Sequence, residues 1–275
     1  MKQHYPIFIL CTRLFKQCVN FLGYVASKIL TQGTIASLEK LCALVQGKGW
    51  GTGTIKVEVA ACLKLLGSSP KTFVDIGANV GSYTAEVLRR APHARCLLIE
   101  PSKTNTAKLS KKFQDQDQII IRQYALSSES GDRTLYSDVE GSGLASLTKR
   151  DLTHRYIEME ICETVRVIRF DELLKTIPFL DQLIDYIKID VEGHELEVLT
   201  SFGDDLARVR LVQFEFGGCN IDTRTFMRDF WNFFQKNGFT IYRITPSGPQ
   251  QIFHYSEALE YFVTTNFIAV KKVLL

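Results

Sequence analysis

Two clusters of acids could do chemistry. The stretch IKIDVEGHE, residues 187–195, places Asp190, Glu192, His194 and Glu195 within about one and a half helical turns. A carboxylate or imidazole so placed can take a proton from an alcohol. A positioned base of this kind contributes about 10²–10⁴ in rate. Three readings of the cluster stay open. Asp190, Glu192 and His194 are candidate bases; the acids with the histidine could hold a divalent metal; or Glu192 or Glu195 caps the following helix through its free amides. Asp190 is the favoured site residue and capping the favoured account of Glu195, while His194 stays open between base and bystander. The metal reading is the weakest, because hard cations need more oxygen ligands than one turn shows, and no metal is expected. Glu215, in VQFEFGG, is an acid inside an apolar strand and is expected to line the same site. Lys188 reads as reaching the sheet's end or pairing with an acid.

The second cluster lies in FVDIGANVGSYT, residues 73–84. Asp75 closes a short apolar run. Gly77 then allows a tight turn, and Gly81 lets helix and strand approach closely. Glu100 closes the next apolar run, LLIEP, where nucleotide-binding folds place the carboxylate that grips ribose hydroxyls. No GK[ST] follows, and the glycines do not make GxGxxG, so neither phosphate-binding fingerprint is present. An acid beside the loop favours a ligand carrying positive charge and a ribose. S-adenosylmethionine has both.

These residues need a scaffold that brings strand ends together. From Lys71 onward short apolar runs alternate with amphipathic segments. Strands are expected at TFVDIG, RCLLIE, QIIIRQYAL, DYIKID, RLVQFEF, FTIYRIT and NFIAVKKV. Helices are expected between them, including HELEVLTSF and RTFMRDFWNFFQKNG, whose aromatics read as core. Continuously apolar strands alternating with helices imply an α/β fold with a mostly parallel sheet covered on both faces. EGSGLASL, 140–147, reads as a loop suited to closing over a bound acceptor.

The motifs FVDIGANVGSYT, IEP at 99–101, IKIDVEGHELEVL at 187–199, FDELL at 170–174 and FEF at 214–216 resemble those of class I S-adenosylmethionine-dependent methyltransferases of the FkbM type. The likeness runs from about Thr72 to Val273. It implies a Rossmann-like seven-stranded sheet with the last strand inserted antiparallel, S-adenosylmethionine as cofactor and O-methylation as the usual activity. It further implies that Asp75, Gly77, Ala78, Asn79, Gly81 and Tyr83 line the methionine side, that Glu100 holds the ribose, and that Ser127 lies near the adenine. The expected acceptor is a hydroxyl of a sugar, glycan, lipid-linked saccharide or secondary metabolite. A nucleotide-sugar or NAD-linked oxidoreductase on a similar sheet is the alternative, with the missing GxGxxG against it.

Residues 1–70 read as a helical extension and 71–275 as the methyltransferase domain. The leader carries Lys2, Arg13, Lys16 and Lys28 and no acid before Glu39. Such a basic amphipathic helix can touch an anionic membrane surface, although packing on the domain behind it is the favoured reading. Its first apolar run, broken by Pro6 and ended by Arg13, falls short of a signal peptide or a membrane span. A net charge of +3, from 33 basic and 30 acidic residues, does not argue for nucleic acid. Seven scattered cysteines without a CxxC pair suggest neither zinc nor a disulfide framework, and the expected compartment is cytoplasmic.

Overall fold

A computed structural model gives the fold. The described residues are 5–51, 53–180 and 182–272, with side chains from Lys16 onward. The chain divides into two compact units, 1–44 and 45–275. The first unit holds helix α1 (Tyr5–Ile29) and nearly all of α2 (Gln32–Val45). Val19, Phe21, Leu22 and Tyr24 of α1 are exposed. No helix among the described residues is long and apolar enough to cross a membrane.

The second unit begins well before residue 71. Helix α3 (Ile55–Leu66), read from sequence as part of the extension, lies in this unit. It packs Val59, Cys62 and Leu66 into the same apolar layer as the sheet residues Phe73, Tyr186 and Leu211. Then follow β1 (Thr72–Ile76), α4 (Ser82–Arg90), β2 (Arg95–Ile99), α5 (Lys103–Lys112), β3 (Ile119–Arg122), β4 (Ala125–Leu126), β5 (Gly131–Ser137) and β6 (Ile161–Ile168). The chain continues through α6 (Phe170–Leu174), β7 (Ile184–Ile189), α7 (Glu195–Thr200), β8 (Val209–Phe216) and α8 (Cys219–Thr223). It ends with α9 (Met227–Lys236), β9 (Phe239–Thr245), β10 (Gly248–Gln251) and β11 (Thr265–Lys271).

The main sheet runs β10-β9-β11-β8-β7-β1-β2-β3. Strands β3, β2, β1, β7 and β8 are parallel, and β11 enters antiparallel between β8 and β9. This is the seven-stranded methyltransferase order with one addition. Strand β10 pairs antiparallel with β9 and makes an eighth, outer strand. Its Pro249 explains why it did not read as a strand, since proline suits edges and weakens the strand signal.

Strands β1 and β7 are buried along their whole length, as a sheet covered on both faces requires. On one face Phe230 and Phe234 of α9 pack against Phe214 of β8, at centroid distances of 5.0 Å each, so these aromatics are core. The expected third strand, 118–126, divides. Residues 119–122 stay in the main sheet, while β4 joins a three-stranded sheet of order β4-β6-β5. In that sheet β6 alternates buried Val165 and Val167 with exposed Thr164 and Arg166.

Strands β2 and β7 flank β1 on opposite sides, so the chain leaves β1 in one direction and returns on the other. In open α/β sheets the crevice at such a reversal, beyond the carboxyl ends of the strands, is where ligands bind. The loops after β1 and β7 meet there.

Candidate active site

Gly77 sets the spacing of that crevice. It has φ +79°, and a Cβ built on it would lie 1.8 Å from the carbonyl oxygen of Asp190. The ends of β1 and β7 are therefore pressed together, fastened by the Asp190 amide donating to the Ile76 carbonyl at 3.0 Å. Gly81, with φ +70°, starts α4. A Cβ there would meet Phe113 and Leu109 at 2.5 and 2.8 Å. The close approach it permits is thus to the α5 segment, rather than to a strand as the sequence suggested.

Glu100 is buried just beyond β2, where its carboxylate accepts from the Asn79 amide at 2.8 Å and the Ser102 amide at 3.0 Å. Burial pushes its pKa up and those two amides pull it back. Asp75 behaves differently from the sequence expectation. It is fully buried and lines neither of the two cavities of the crevice. Oδ2 accepts from Thr84 Oγ1 at 2.6 Å, and Lys188 Nζ stands 3.7 Å from Oδ1. Residue 75 is still inside the strand, directly beside Lys188 in the β1–β7 register, so its side chain projects onto the sheet face under α4.

Lys188 reaches the strand end and bonds Asp190 Oδ2 at 3.0 Å, as one of its sequence readings expected. Glu192, at φ +53°, is paired with Arg150, which also contacts Asp222 at 3.3 Å. Burial, with the charge of Asp190 adding to it, pushes the Glu192 pKa up to about 8 despite Arg150. Glu215 has no hydrogen-bond or ion-pair partner among the described residues. Burial and the facing acids Asp190 and Glu192 raise its pKa strongly. Ligand atoms of Glu192, Glu215 and Cys219 lie within 4.8 Å of one another. Burial drives the Cys219 thiol far up, however, so it stays protonated, and two carboxylates alone are a poor set for a hard cation.

The larger cavity, about 1000 Å³, is lined by Gly77, Ala78, Asn79, Tyr83, Lys188, Asp190, Glu192 and Glu215 among others. The smaller one joins Glu100 to the apolar side chains of Ile99, Tyr124, Leu126 and Leu147. Gly77, Asn79, Gly143, Asp190 and Glu192 line both. Of the loop expected to close over a bound acceptor, residues 142, 143 and 145–147 border the smaller, Glu100 side, and Gly143 and Leu144 border the larger cavity. Ser127 and His194 fall into supporting positions. Ser127 lines neither cavity and donates to Glu197. His194 borders the smaller cavity, but its Nδ1 bonds Glu197 Oε2 at 2.6 Å and its Nε2 pairs with Thr148 Oγ1 at 3.0 Å. Both ring nitrogens are engaged. Glu195 accepts from the Val191 and Gly193 amides at 3.0 and 3.1 Å, capping the turn before its helix.

This site lies inside a stretch, residues 75–241, that matches the methyltransferase FkbM domain. The chain belongs to the FkbM methyltransferase family. Among curated relatives, the FkbM chain is 30% identical over 141 residues to the hexuronic acid methyltransferase AglP of Haloferax volcanii, covering 50% of this chain and 52% of AglP. It is 24% identical over 200 residues to the 2-O-methyltransferase NoeI of Sinorhizobium fredii, covering 69% and 81%. Methyltransferase 1 of Beauveria bassiana is 24% identical over 146 residues, covering 48% and 58%. The match thus spans little more than half of two of these relatives and about four-fifths of NoeI.

Three residues of this FkbM methyltransferase site escaped the sequence reading. Arg150 is buried and holds Glu192, but it comes from a polar stretch without periodicity. Gln213 accepts from the hydroxyls of Tyr83 and Tyr186, and its Nε2 donates to Glu58 at 2.6 Å. Glu58, on α3, lines the larger cavity from outside the matched stretch. The available signal was an acid on the apolar face of VEVAACLKLL, a placement that is rare unless the acid is paired or functional.

Proposed function

We propose that this chain is an S-adenosylmethionine-dependent O-methyltransferase whose acceptor is a hydroxyl of a sugar or glycan. The observation that carries the reading is the shared wall of the two cavities. Gly77, Asn79, Asp190 and Glu192 border both, so ligands in the two compartments would meet at Asp190 and Glu192. The smaller cavity suits a nucleoside. Glu100 is fixed by two amides with lone pairs left for a ribose diol, and Ile99, Tyr124 and Leu126 offer apolar surface for a base. When bound, the donor supplies a methyl group on a sulfonium, a leaving group that needs no activation. The names of two relatives, a hexuronic acid methyltransferase and a 2-O-methyltransferase, support a saccharide acceptor.

The chain's own work is then to align a hydroxyl and take its proton. Asp190 is steadied by Lys188 at the shared wall and positions the acceptor. Glu192 takes the proton. Its pKa of about 8 is closer to that of a hydroxyl than an ordinary carboxylate's, and Arg150 fixes its orientation. Glu215 lines the acceptor side as a neutral acid able to donate a hydrogen bond. His194, with both nitrogens occupied, serves the loop rather than the proton.

The test is incubation with methyl-labelled S-adenosylmethionine and a panel of uronic-acid and neutral oligosaccharides, read by mass spectrometry. A single added methyl on oxygen is the expected product. If label reaches nitrogen or carbon acceptors and no hydroxyl, the O-methyl reading fails.

A further inference from the structure

The donor assigned above carries an α-ammonium group, and the acid that the loop motif supplies is not available to meet it. Asp75 is sealed between Thr84 and Lys188 and lines neither cavity. Among the acids bordering the larger cavity, Asp190 is paired with Lys188, and Glu192 and Asp222 with Arg150. The other three have no ion-pair partner among the described residues: Asp151, which is exposed and accepts from Thr153, and the more buried Glu58 and Glu215. Glu215 faces Glu192 and Cys219. Glu58 instead belongs to the Gly77–Tyr83 side of the cleft, because Gln213 ties it to the Tyr83 hydroxyl.

We propose that Glu58 is a donor-binding residue, which receives the α-ammonium group of the donor's amino-acid end. The proposal rests on the reading that the donor is S-adenosylmethionine. Glu58 is 4% exposed yet borders the cavity together with Gly77, Ala78 and Tyr83. Its carboxylate is held by Thr54 Oγ1 at 2.6 Å on Oε1 and by Gln213 Nε2 at 2.6 Å on Oε2. Each oxygen keeps a lone pair, and neither neighbour brings a positive charge. Burial raises the pKa of this acid, and the Thr54 and Gln213 hydrogen bonds and the more distant Lys188 charge pull it back only in part. An ammonium relieves that cost, and a hydroxyl does not. The residue lies ahead of the family-matched stretch, 75–241, so membership of the family does not assign it.

The experiment is isothermal titration of the full chain and of Glu58→Gln with two ligands, S-adenosylhomocysteine and its desamino analogue, which lacks only the ammonium. A charge-assisted hydrogen bond predicts that wild type prefers S-adenosylhomocysteine by about tenfold to a hundredfold. Glu58→Gln should lose that preference while binding the desamino analogue as wild type does. Glu58→Asp, which keeps the charge, should recover part of the preference. If Glu58→Gln discriminates between the ligands as strongly as wild type, the proposal is wrong. If it weakens both ligands equally, Glu58 is a structural residue and the proposal is likewise wrong. Failure of wild type to bind either ligand overturns the donor reading itself, which separates that outcome from the other two.

Discussion

Arg150 and Glu192 offer a test that needs no acceptor. Glu192 is an acid whose pKa is pushed to about 8 by burial and by Asp190, with Arg150 pulling the other way. At pH 7 about a tenth of such a group is ionised, against nearly all of an ordinary glutamate with a pKa near 4.3. Replacing Arg150 with methionine removes a charge-assisted hydrogen bond worth about 1.5–3 kcal/mol, or about 1–2 pKa units at 1.36 kcal/mol each. The Glu192 midpoint should therefore rise from about 8 to about 9–10. The sign for stability follows from proton binding. The folded state holds a proton on Glu192 that the unfolded chain has released between pH about 4.3 and 8, so this group lowers stability as pH rises across that window. The assay is carboxyl carbon NMR on protein labelled at glutamate, with Glu192→Gln identifying the resonance that disappears. A titration near pH 4.3 for that resonance would refute the reasoning, as would a midpoint that stays put or falls in Arg150→Met. Once an acceptor is in hand, kcat/KM should climb with the same midpoint in wild type. It should be flat and about 10²–10⁴ lower in Glu192→Gln.

Other perturbations separate support from chemistry. Asp75→Asn leaves buried Lys188 with one carboxylate fewer and should lower the melting temperature, while discrimination between S-adenosylhomocysteine and its desamino analogue survives; loss of that discrimination would return Asp75 to the binding site. Gly77→Ala sets a methyl 1.8 Å from the Asp190 carbonyl in a left-handed backbone, costing at least about 1–2 kcal/mol from the conformation alone; an unchanged denaturant midpoint would contradict the close approach of β1 and β7. Glu197 is held at about 2, chiefly by His194, so it adds stability above its unfolded value near 4.3 that is lost as pH falls toward about 2. His194→Ala should accordingly move the acid-unfolding midpoint to higher pH, and should change kcat less than tenfold; a larger fall in kcat would make His194 a base after all.

The sheet was legible because its strands are buried on both faces and therefore read as largely apolar runs, broken only by Asp75 in FVDI and Lys188 in YIKI. What escaped was carried by weaker signals. Strand β10 is four residues of Gly, Pro and Gln on an edge, and only its pairing with β9 makes it a strand. Strand β6, ICETVRVI, alternates buried Val165 and Val167 with exposed Thr164 and Arg166, but Glu163 interrupts the apolar register. The start of the second unit escaped for a related reason. VEVAACLKLL has the same helical look as the leader, and burial of Val59, Cys62 and Leu66 beside the sheet is a long-range fact with no local trace.

The two strand-end acids show how far residue type alone reaches. Asp75 and Glu100 look equivalent in sequence, each near the end of an apolar run before a helix. Asp75 precedes the last residue of β1, whereas Glu100 follows the last residue of β2. That offset decides their chemistry. Inside the strand the side chain must lie on one face of the sheet, and there Asp75 meets Thr84 and the Lys188 beside it in register. One step beyond the strand, the carboxylate clears the sheet and takes the Asn79 and Ser102 amides while still bordering a cavity. The charge that Asp75 surrenders to Lys188 is not wasted, since Lys188 in turn fixes Asp190 at the wall both cavities share. Removing Asp75 should therefore loosen Asp190 before it weakens any contact to the donor. In Asp75→Asn, acceptor KM should rise more than the dissociation constant of S-adenosylhomocysteine, and the reverse order would place Asp75 at the ligand.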